Sequence, residues 1–192
     1  TFNDNARGWR LAAEAIKYAT TGKGFFAMCA APIRMYFKTR EGLASPDAAI
    51  AMTPFLYESV DGQLRISKQR GVTLNINVLR SESLGNIHIQ SADPMVPPAI
   101  HFNFMSSLYD REGTVAAMRK ARELFSTSPL SDVVGEEIGP GLVCQSDKDI
   151  VDWIKNNAVT TYHPVGTCNM GRDNFAVVDD ELKVHGIKGL RV

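Results

Sequence analysis

The amino-acid sequence predicts an α+β fold in which an antiparallel sheet is backed by helices. Two observations lead to this prediction: apolar and polar residues alternate over residues 72–78, and apolar residues recur at helical spacing over residues 110–125. Strict alternation is typical of a strand with one buried face, whereas recurrence at every third or fourth residue is typical of a helix with one apolar stripe. The elements before, between and after these two segments follow from local signals.

The first helix is predicted to begin near Asn5, a favourable N-cap residue, and to end around Gly22 and Gly24. Its helically spaced apolar residues are Trp9, Ala12, Ala13, Ile16 and Ala19. Residues 25–45 are apolar but interrupted by Pro32, so the sequence assigns no single element there.

Strands are predicted next. Residues 49–59 are predicted to form a strand, and Pro54 within it predicts a position at a sheet edge or a bulge. Residues 72–78 form a second strand, and residues 86–90 are its predicted partner because Ile87 and Ile89 alternate with polar residues. The intervening SESLG is then a hairpin loop.

The second half of the chain predicts two helices and two short strands. One helix covers residues 110–125, and another begins at Ser146, with Asp149 three residues later as a variant of the capping box. The strand-like runs are AVVD at 176–179 and LKVHGI at 182–187.

Composition narrows the class of protein. The chain has 192 residues, with 44% hydrophobic and 22% charged residues, which excludes disordered and fibrous classes and fits one domain or two small ones. Its 21 basic and 21 acidic residues leave no net charge, so nucleic-acid and anionic-membrane binding are not indicated. No apolar run approaches the ~20 residues of a transmembrane helix. Three widely spaced cysteines favour a reducing compartment.

The segment TTYHPVGTCNMG, residues 160–171, contains the main candidate for chemistry. Pro164 disfavours helical geometry at His163, and the preceding Thr160, Thr161 and Tyr162 favour a strand. We therefore expect His163 at the end of a strand, before a turn, where it can exchange a proton at neutral pH. Spacing alone favours a hydrogen-bonded structural histidine over a catalytic one.

Two other uses of His163 are weaker. Together with Cys144, Cys168 and His185 it would make four zinc ligands, but the spacing matches no zinc pattern, so no metal site is predicted. Cys168 would need a feature that lowers its thiol pKa to act as a nucleophile, and none is evident. Cys168 is instead predicted to be a small buried residue.

Three segments, in this order, resemble the C-terminal half of the glucose–methanol–choline (GMC) oxidoreductases. They are LRSESLGNIHIQSADPMVPPAI at 79–100, YHPVGTCNMG at 162–171 and AVVDDELKVHGIKGLRV at 176–192. The resemblance covers residues 79–192 and continues weakly through residues 1–78. It implies a flavin enzyme with an α/β FAD-binding domain and a substrate-binding domain built on an antiparallel sheet.

The resemblance also implies a division of the chain. Residues 1–145 would belong to the substrate-binding domain, and residues 146–192 would return to the FAD-binding domain and bring His163 to the cofactor ring. The chain contains no G-x-G-x-x-G, and it begins with Thr1 and ends on GLRV, so we expect a fragment of a longer enzyme. The main FAD motif is expected upstream of Thr1, and a second catalytic residue beyond Val192.

In this family a histidine in the second of these segments acts as acid/base towards the hydroxyl of an alcohol, and that histidine corresponds to His163. Tyr162 resembles a residue that lines the substrate pocket. No residue is assigned to FAD binding. The resemblance implies a choline-like or primary alcohol as substrate, and oxygen or a quinone-type carrier as electron acceptor. Localisation is undetermined, with the cytoplasm or a peripheral membrane position favoured. Asn169 and Asp180 depart slightly from the family pattern.

Two alternatives stay open. A non-catalytic relative would keep the same fold for binding without needing a base at His163. A free-standing small α+β domain would hold His163 for structure alone, although its C-terminal strand would then leave an apolar edge uncovered.

Overall fold

The computed structural model describes residues 2–60 and 63–192. Its helices are α1 (Phe2–Asn5), α2 (Gly8–Thr21), α3 (Leu108–Ser126) and α4 (Asp147–Asn157). Its strands are β1 (Ile33–Phe37), β2 (Ala48–Thr53), β3 (Tyr57–Val60), β4 (Gln63–Ile66), β5 (Thr73–Val78), β6 (Asn86–His88) and β7 (Ala99–His101). The chain divides into two compact units, one made of residues up to Glu82 with 107–155, the other of 83–106 and 156–192.

The first unit is built on a three-stranded antiparallel sheet in the order β1-β2-β5. Ile50 in the central strand lies opposite Met35 of β1 and Ile76 of β5. Helix α3 packs on β2 and β5. The buried apolar side chains of β2 and α3 are Ala48, Ala49, Ile50, Ala51, Val115, Ala117, Met118 and Ala121. The predicted α+β class, with an antiparallel sheet backed by helices, is confirmed.

The predicted strand over residues 49–59 is two strands, β2 and β3, which belong to different sheets. Pro54 follows the last residue of β2, because proline has no N–H to continue a ladder of hydrogen bonds. The predicted edge position was wrong, since β2 is the central strand of its sheet.

The predicted hairpin between residues 72–78 and 86–90 was also wrong. Strand β5 pairs with β2, and β6 pairs with β7 in the second unit. Gly85 is required before β6, because a Cβ there would lie 2.1 Å from the carbonyl oxygen of His101. The SESLG segment is therefore a connection between units and not a hairpin loop.

The helix predictions were more accurate. Helix α2 ends at Thr21, and Gly22 caps it at φ +64°, a left-handed conformation that glycine adopts readily. Asn5 lies in α1 and does not cap α2, which begins at Gly8. Helix α3 contains the predicted apolar stripe, and α4 has the predicted capping box. In that box the Asp149 amide donates to Ser146 Oγ over 3.1 Å, and the Ser146 amide donates to Asp149 Oδ2 over 3.2 Å.

Residues 25–45 contain a short 3₁₀ helix, Phe25–Ala27, followed by β1 immediately after Pro32. Neither of the two predicted C-terminal strands forms a ladder. Isolated bridges instead join Val178 to Met170 and to Val184, and Lys183 to Arg191. Short runs that turn every few residues leave too few consecutive pairs for a strand. Within residues 2–60 and 63–192, no helix is both long and apolar enough to cross a bilayer.

The buried carboxylate of Asp47 gives the first unit a pH-dependent contribution to stability. Burial raises the pKa of Asp47, but hydrogen bonds from the hydroxyl and amide of Thr39, at 2.6 and 2.7 Å, and from the Tyr109 hydroxyl hold it below its usual range. Because the folded-state pKa is lowered, this stabilisation is present above the unfolded-state pKa and is lost as the pH falls through the folded-state value.

We therefore expect Asp47→Asn to lower the unfolding free energy at pH 7, and the difference from the wild type to shrink below about pH 4. Urea unfolding at several pH values measures this, with the exposed Asp180→Asn as control. A difference that stays constant from pH 7 to pH 2 would contradict the role of the Asp47 charge.

Candidate functional site

The backbone around His163 is an irregular, exposed segment of the second unit. Tyr162 has φ +60°, and its amide donates to Thr160 Oγ1 over 3.0 Å. A non-glycine residue at positive φ interrupts an extended strand, so the strand predicted to end at His163 is absent. Gly166 has φ +102°, which provides the turn that the sequence predicted after Pro164.

The imidazole of His163 is exposed to solvent. None of the residues that the structure describes forms a hydrogen bond or an ion pair with it. A histidine held for structure is expected to have a partner for at least one ring nitrogen. Both ring nitrogens of His163 are instead available to a group from outside the described chain.

The side chains next to His163 are apolar and exposed. Tyr162 is 83% exposed and Val165 is 94% exposed. The described residues do not enclose a pocket around Tyr162, so its contact with a substrate stays a prediction.

A small hydrogen-bonded scaffold supports the C-terminal end of this segment. The carbonyl of Asn169 accepts from the amides of Val177, at 2.8 Å, and Val178, at 3.1 Å. The amide of Gly171 donates to the carbonyl of Val178 over 2.9 Å. The His185 ring Nε2 lies 3.0 Å from the carbonyl oxygen of Gly171. Val178, at 1% exposure, is the buried centre of this scaffold.

The alternative roles for the cysteines gain no support. Among residues 2–60 and 63–192, no group of three or more His, Cys, Asp or Glu side chains is close enough to hold a metal ion. Cys168 is exposed, so the prediction that it is buried was wrong. The reason is that residues 162–170 form an exposed loop that contributes nothing to a core. Cys144 is buried, and Cys29 is exposed.

Two shallow depressions lie elsewhere, along α3 and α4 of the first unit. Their volumes are about 320 and 410 Å³, and Val115, Glu112 and Asp147 line both of them. Charged side chains form most of the remaining lining, and neither depression includes His163. They therefore add no substrate site to the one predicted around that residue.

Sequence reasoning did not reveal the buried polar residues of the first unit, among them Asn3 and Asp110. Asn3 is completely buried and Asp110 is 3% exposed. Asp110 falls at the start of the predicted helix, where an acidic residue is ordinary, and Asn3 falls in a polar run. The Asn3 side chain bonds to Leu56 and the Asp110 carboxylate bonds to Glu82, 53 and 28 residues away in the sequence, and no local signal marks these contacts.

Comparison with solved structures first shows which known folds this chain resembles. The crystal structure of a formate oxidase superposes with a TM-score of 0.81 over 96% of this chain and 37% of that one, at 22% identity. A fungal aryl-alcohol oxidase superposes with a TM-score of 0.60 over 77% of this chain and 23% of that one, at 25% identity. This chain therefore has the same fold as a part of each of these proteins.

Sequence comparison then gives the family: residues 81–192 match the GMC oxidoreductase profile, and the chain belongs to that family. It is 38% identical over 157 residues to the oxygen-dependent choline dehydrogenase of Cronobacter sakazakii, covering 82% of this chain and 28% of that protein. The corresponding enzyme of Klebsiella pneumoniae is 43% identical over 125 residues, covering 65% of this chain and 23% of that protein. The chain thus spans about a quarter of the length of these relatives.

Members of this family use FAD and oxidise alcohols, and one observation tests whether this chain fits such a cofactor. The unbonded, exposed imidazole of His163 suits a group that works on a substrate placed against a flavin. The sequence contains no G-x-G-x-x-G to receive a pyrophosphate. We therefore assign none of the residues of this chain to holding the nucleotide end of the cofactor.

Proposed function

We propose that this chain is part of an FAD-dependent enzyme that oxidises the CH–OH group of an alcohol, with His163 as the acid/base residue for the hydroxyl proton. The observation that carries the proposal is the exposed imidazole of His163, unbonded among the described residues, inside the segment that matches the family. The names of the similar choline dehydrogenases make choline the first alcohol to test.

In this reaction the alcohol loses a hydroxyl proton and a carbon-bound hydride. FAD, when bound, supplies the hydride acceptor. A ring nitrogen of His163 accepts the proton from the hydroxyl oxygen, so that the C–O bond gains double-bond character as the hydride leaves. Proton transfer by a positioned base typically contributes ~10²–10⁴-fold to the rate.

The backbone at His163 supports this role. Pro164 restricts the conformation of the residue before it, and the bond from the Tyr162 amide to Thr160 Oγ1 fixes the turn on the other side. A base that is held before the substrate arrives loses little conformational freedom on binding, and a misplacement of ~1 Å can cost ~100-fold in rate. We propose that Tyr162 contacts the carbon skeleton of the alcohol.

We further propose that residues 1–145 serve the substrate-binding domain and residues 146–192 the FAD-binding domain of the enzyme. Whether oxygen or a quinone-type carrier takes the electrons is a separate property of the whole enzyme. Neither proposal changes the proton-transfer role of His163.

Anaerobic mixing of the flavin-loaded enzyme containing this chain with alcohols tests the proposed function. Choline, a simple primary alcohol and an aromatic alcohol are compared by the loss of oxidised flavin absorbance. We expect at least one of them to reduce the flavin. If dithionite reduces it and no alcohol does, the protein is a non-catalytic relative that keeps the fold for binding.

The 192-residue chain by itself is expected to purify without flavin absorbance, because its sequence has no phosphate-binding glycine motif. Incubation with excess FAD followed by gel filtration checks whether weak binding was lost during purification. A stoichiometric yellow protein after either procedure would contradict the assignment of the nucleotide end to residues outside this chain.

A further inference from the structure

The candidate base lies in a loop that no core holds. All residues from 161 to 170 are exposed, so packing of their side chains does not fix the position of His163. The bonds at the two ends of the loop therefore restrain it. The bond from the Tyr162 amide to Thr160 Oγ1 is local to the first end, and the second end, residues 169–171, needs a support of its own.

The side chain of His185 supports the second end. Its ring Nε2 lies 3.0 Å from the carbonyl oxygen of Gly171, 14 residues earlier in the sequence. A carbonyl oxygen only accepts hydrogen bonds, so Nε2 carries the proton and donates it. Nε2 can donate in the neutral ring and in the protonated ring, so the bond to Gly171 is compatible with both states of the imidazole.

This bond closes a cycle of hydrogen bonds within residues 169–185. The backbone amide of His185 donates to the carbonyl of Val177 over 3.0 Å, and the amide of Val177 donates to the carbonyl of Asn169 over 2.8 Å. The imidazole of His185 then returns to Gly171, two residues after Asn169. In a network of this kind each bond supports the others, so the loss of one member weakens the rest.

The backbone at both ends of the bond between His185 and Gly171 is held against a buried residue. Val178, at 1% exposure, bridges to Met170 on one side and to Val184 on the other. Met170 directly precedes Gly171, and Val184 directly precedes His185. The imidazole thus joins two chain segments that lie on either side of Val178.

We infer that His185 is a positioning residue for the reaction: its imidazole holds the Gly171 end of the loop that carries His163. It acts through the backbone of the loop and not on the substrate. The effect on rate rests on the proposed function, whereas the restraint itself does not. A base displaced by ~1 Å loses much of its contribution, so a loosened loop lowers the rate of the chemical step more than the affinity for the alcohol.

Two substitutions at position 185 separate the hydrogen bond from the presence of a polar side chain. The side-chain nitrogen of glutamine is separated from Cα by as many bonds as Nε2 of histidine, whereas the nitrogen of asparagine is one bond nearer. His185→Gln can therefore still donate to the Gly171 carbonyl, and His185→Asn is too short to do so. The side chain of His185 is exposed, so both variants are expected to fold.

Amide hydrogen exchange of the 192-residue chain tests the restraint. His185→Asn is expected to speed exchange of the Gly171 and Val177 amides by about 3- to 10-fold, and His185→Gln should restore most of the protection. Nitrogen-15 relaxation then tests whether the effect reaches the base, since the order parameter of the His163 amide should fall in His185→Asn and recover in His185→Gln. The matched control is His88→Asn, at another exposed histidine of the second unit, which should change none of these values.

The flavin-loaded enzyme that contains this chain tests the consequence. His185→Asn is expected to lower the limiting rate of alcohol-dependent flavin reduction by about 3- to 10-fold, with less than about a twofold change in apparent Kd for the alcohol. His185→Gln should recover most of the rate, and His88→Asn should match the wild type.

Three results would overturn the inference. They are unchanged exchange of the Gly171 and Val177 amides in His185→Asn, a rate in that variant equal to the wild-type rate, and an equal loss of rate in His185→Asn and His185→Gln. A wild-type enzyme that no alcohol reduces would instead mark failure of the proposed function. Exchange and relaxation would then still decide whether His185 restrains the loop.

Discussion

Replacing His163 by alanine in the flavin-loaded enzyme that contains this chain is expected to slow alcohol-dependent flavin reduction by ~10²–10⁴-fold. The physical reason is that the hydroxyl proton then has no positioned acceptor and must leave to water. Because no described residue forms a hydrogen bond or an ion pair with the imidazole, the substitution removes no such bond among residues 2–60 and 63–192. Folding and flavin content should therefore match those of the wild type. Stopped-flow absorbance under anaerobic conditions gives the rate.

His88→Ala is the matched control for this experiment, since His88 is also an exposed histidine of the second unit, at the end of β6. It should leave the rate of flavin reduction unchanged. A His163→Ala enzyme that reduces its flavin as fast as the His88→Ala enzyme would remove His163 from the chemistry. The structural-histidine alternative would then account for the segment better.

The second large effect concerns the stability of the first unit. Asn3 is completely buried in α1, and its side chain joins two distant backbone segments. Its amide nitrogen donates to the carbonyls of Leu56, at 2.9 Å, and Ser67, at 3.1 Å. Its carbonyl oxygen accepts from the amides of Leu56, at 3.1 Å, and Gly71, at 3.3 Å. All four side-chain bonding positions of this asparagine are filled.

Asn3→Ala is expected to lower the unfolding free energy of the 192-residue chain by about 3 kcal/mol, because it leaves two backbone amides and two carbonyls without these partners. Urea unfolding followed by tryptophan fluorescence measures the change. Asn174→Ala, at an exposed asparagine, is the control and should change stability by less than about 0.5 kcal/mol. A similarly small change for Asn3→Ala would show that water or neighbouring groups replace its bonds.

The elements that the sequence predicted well are those with local causes. Helix α3 follows from an apolar stripe within one segment, and α4 from a capping box of two residues three positions apart. Strand β5 was located from its alternation, but its partner was not, because pairing depends on residues far away in the chain. For the same reason, the sequence did not reveal that Asn3 and Asp110 are buried and bonded to distant residues.

The sequence predicted the candidate site only in part. His163 was found from its proline and from the resemblance of the surrounding segment to the family. The predicted strand before it failed because propensities of threonine and tyrosine do not reveal that Tyr162 adopts a positive φ. Within residues 2–60 and 63–192, no segment pairs with residues 160–163, and β-propensity without a partner does not form a strand. The exposed setting of Cys168 was missed for the same reason.

The pH dependence of the flavin-reduction rate, in the wild type and in His163→Ala, tests the central claim most directly. If His163 accepts the hydroxyl proton, the wild-type rate depends on pH less steeply than the rate of the variant. The residual rate of the variant instead rises about tenfold per pH unit, because hydroxide from solvent replaces the missing base. Two superimposable profiles of equal rate would contradict the claim that His163 performs the proton transfer.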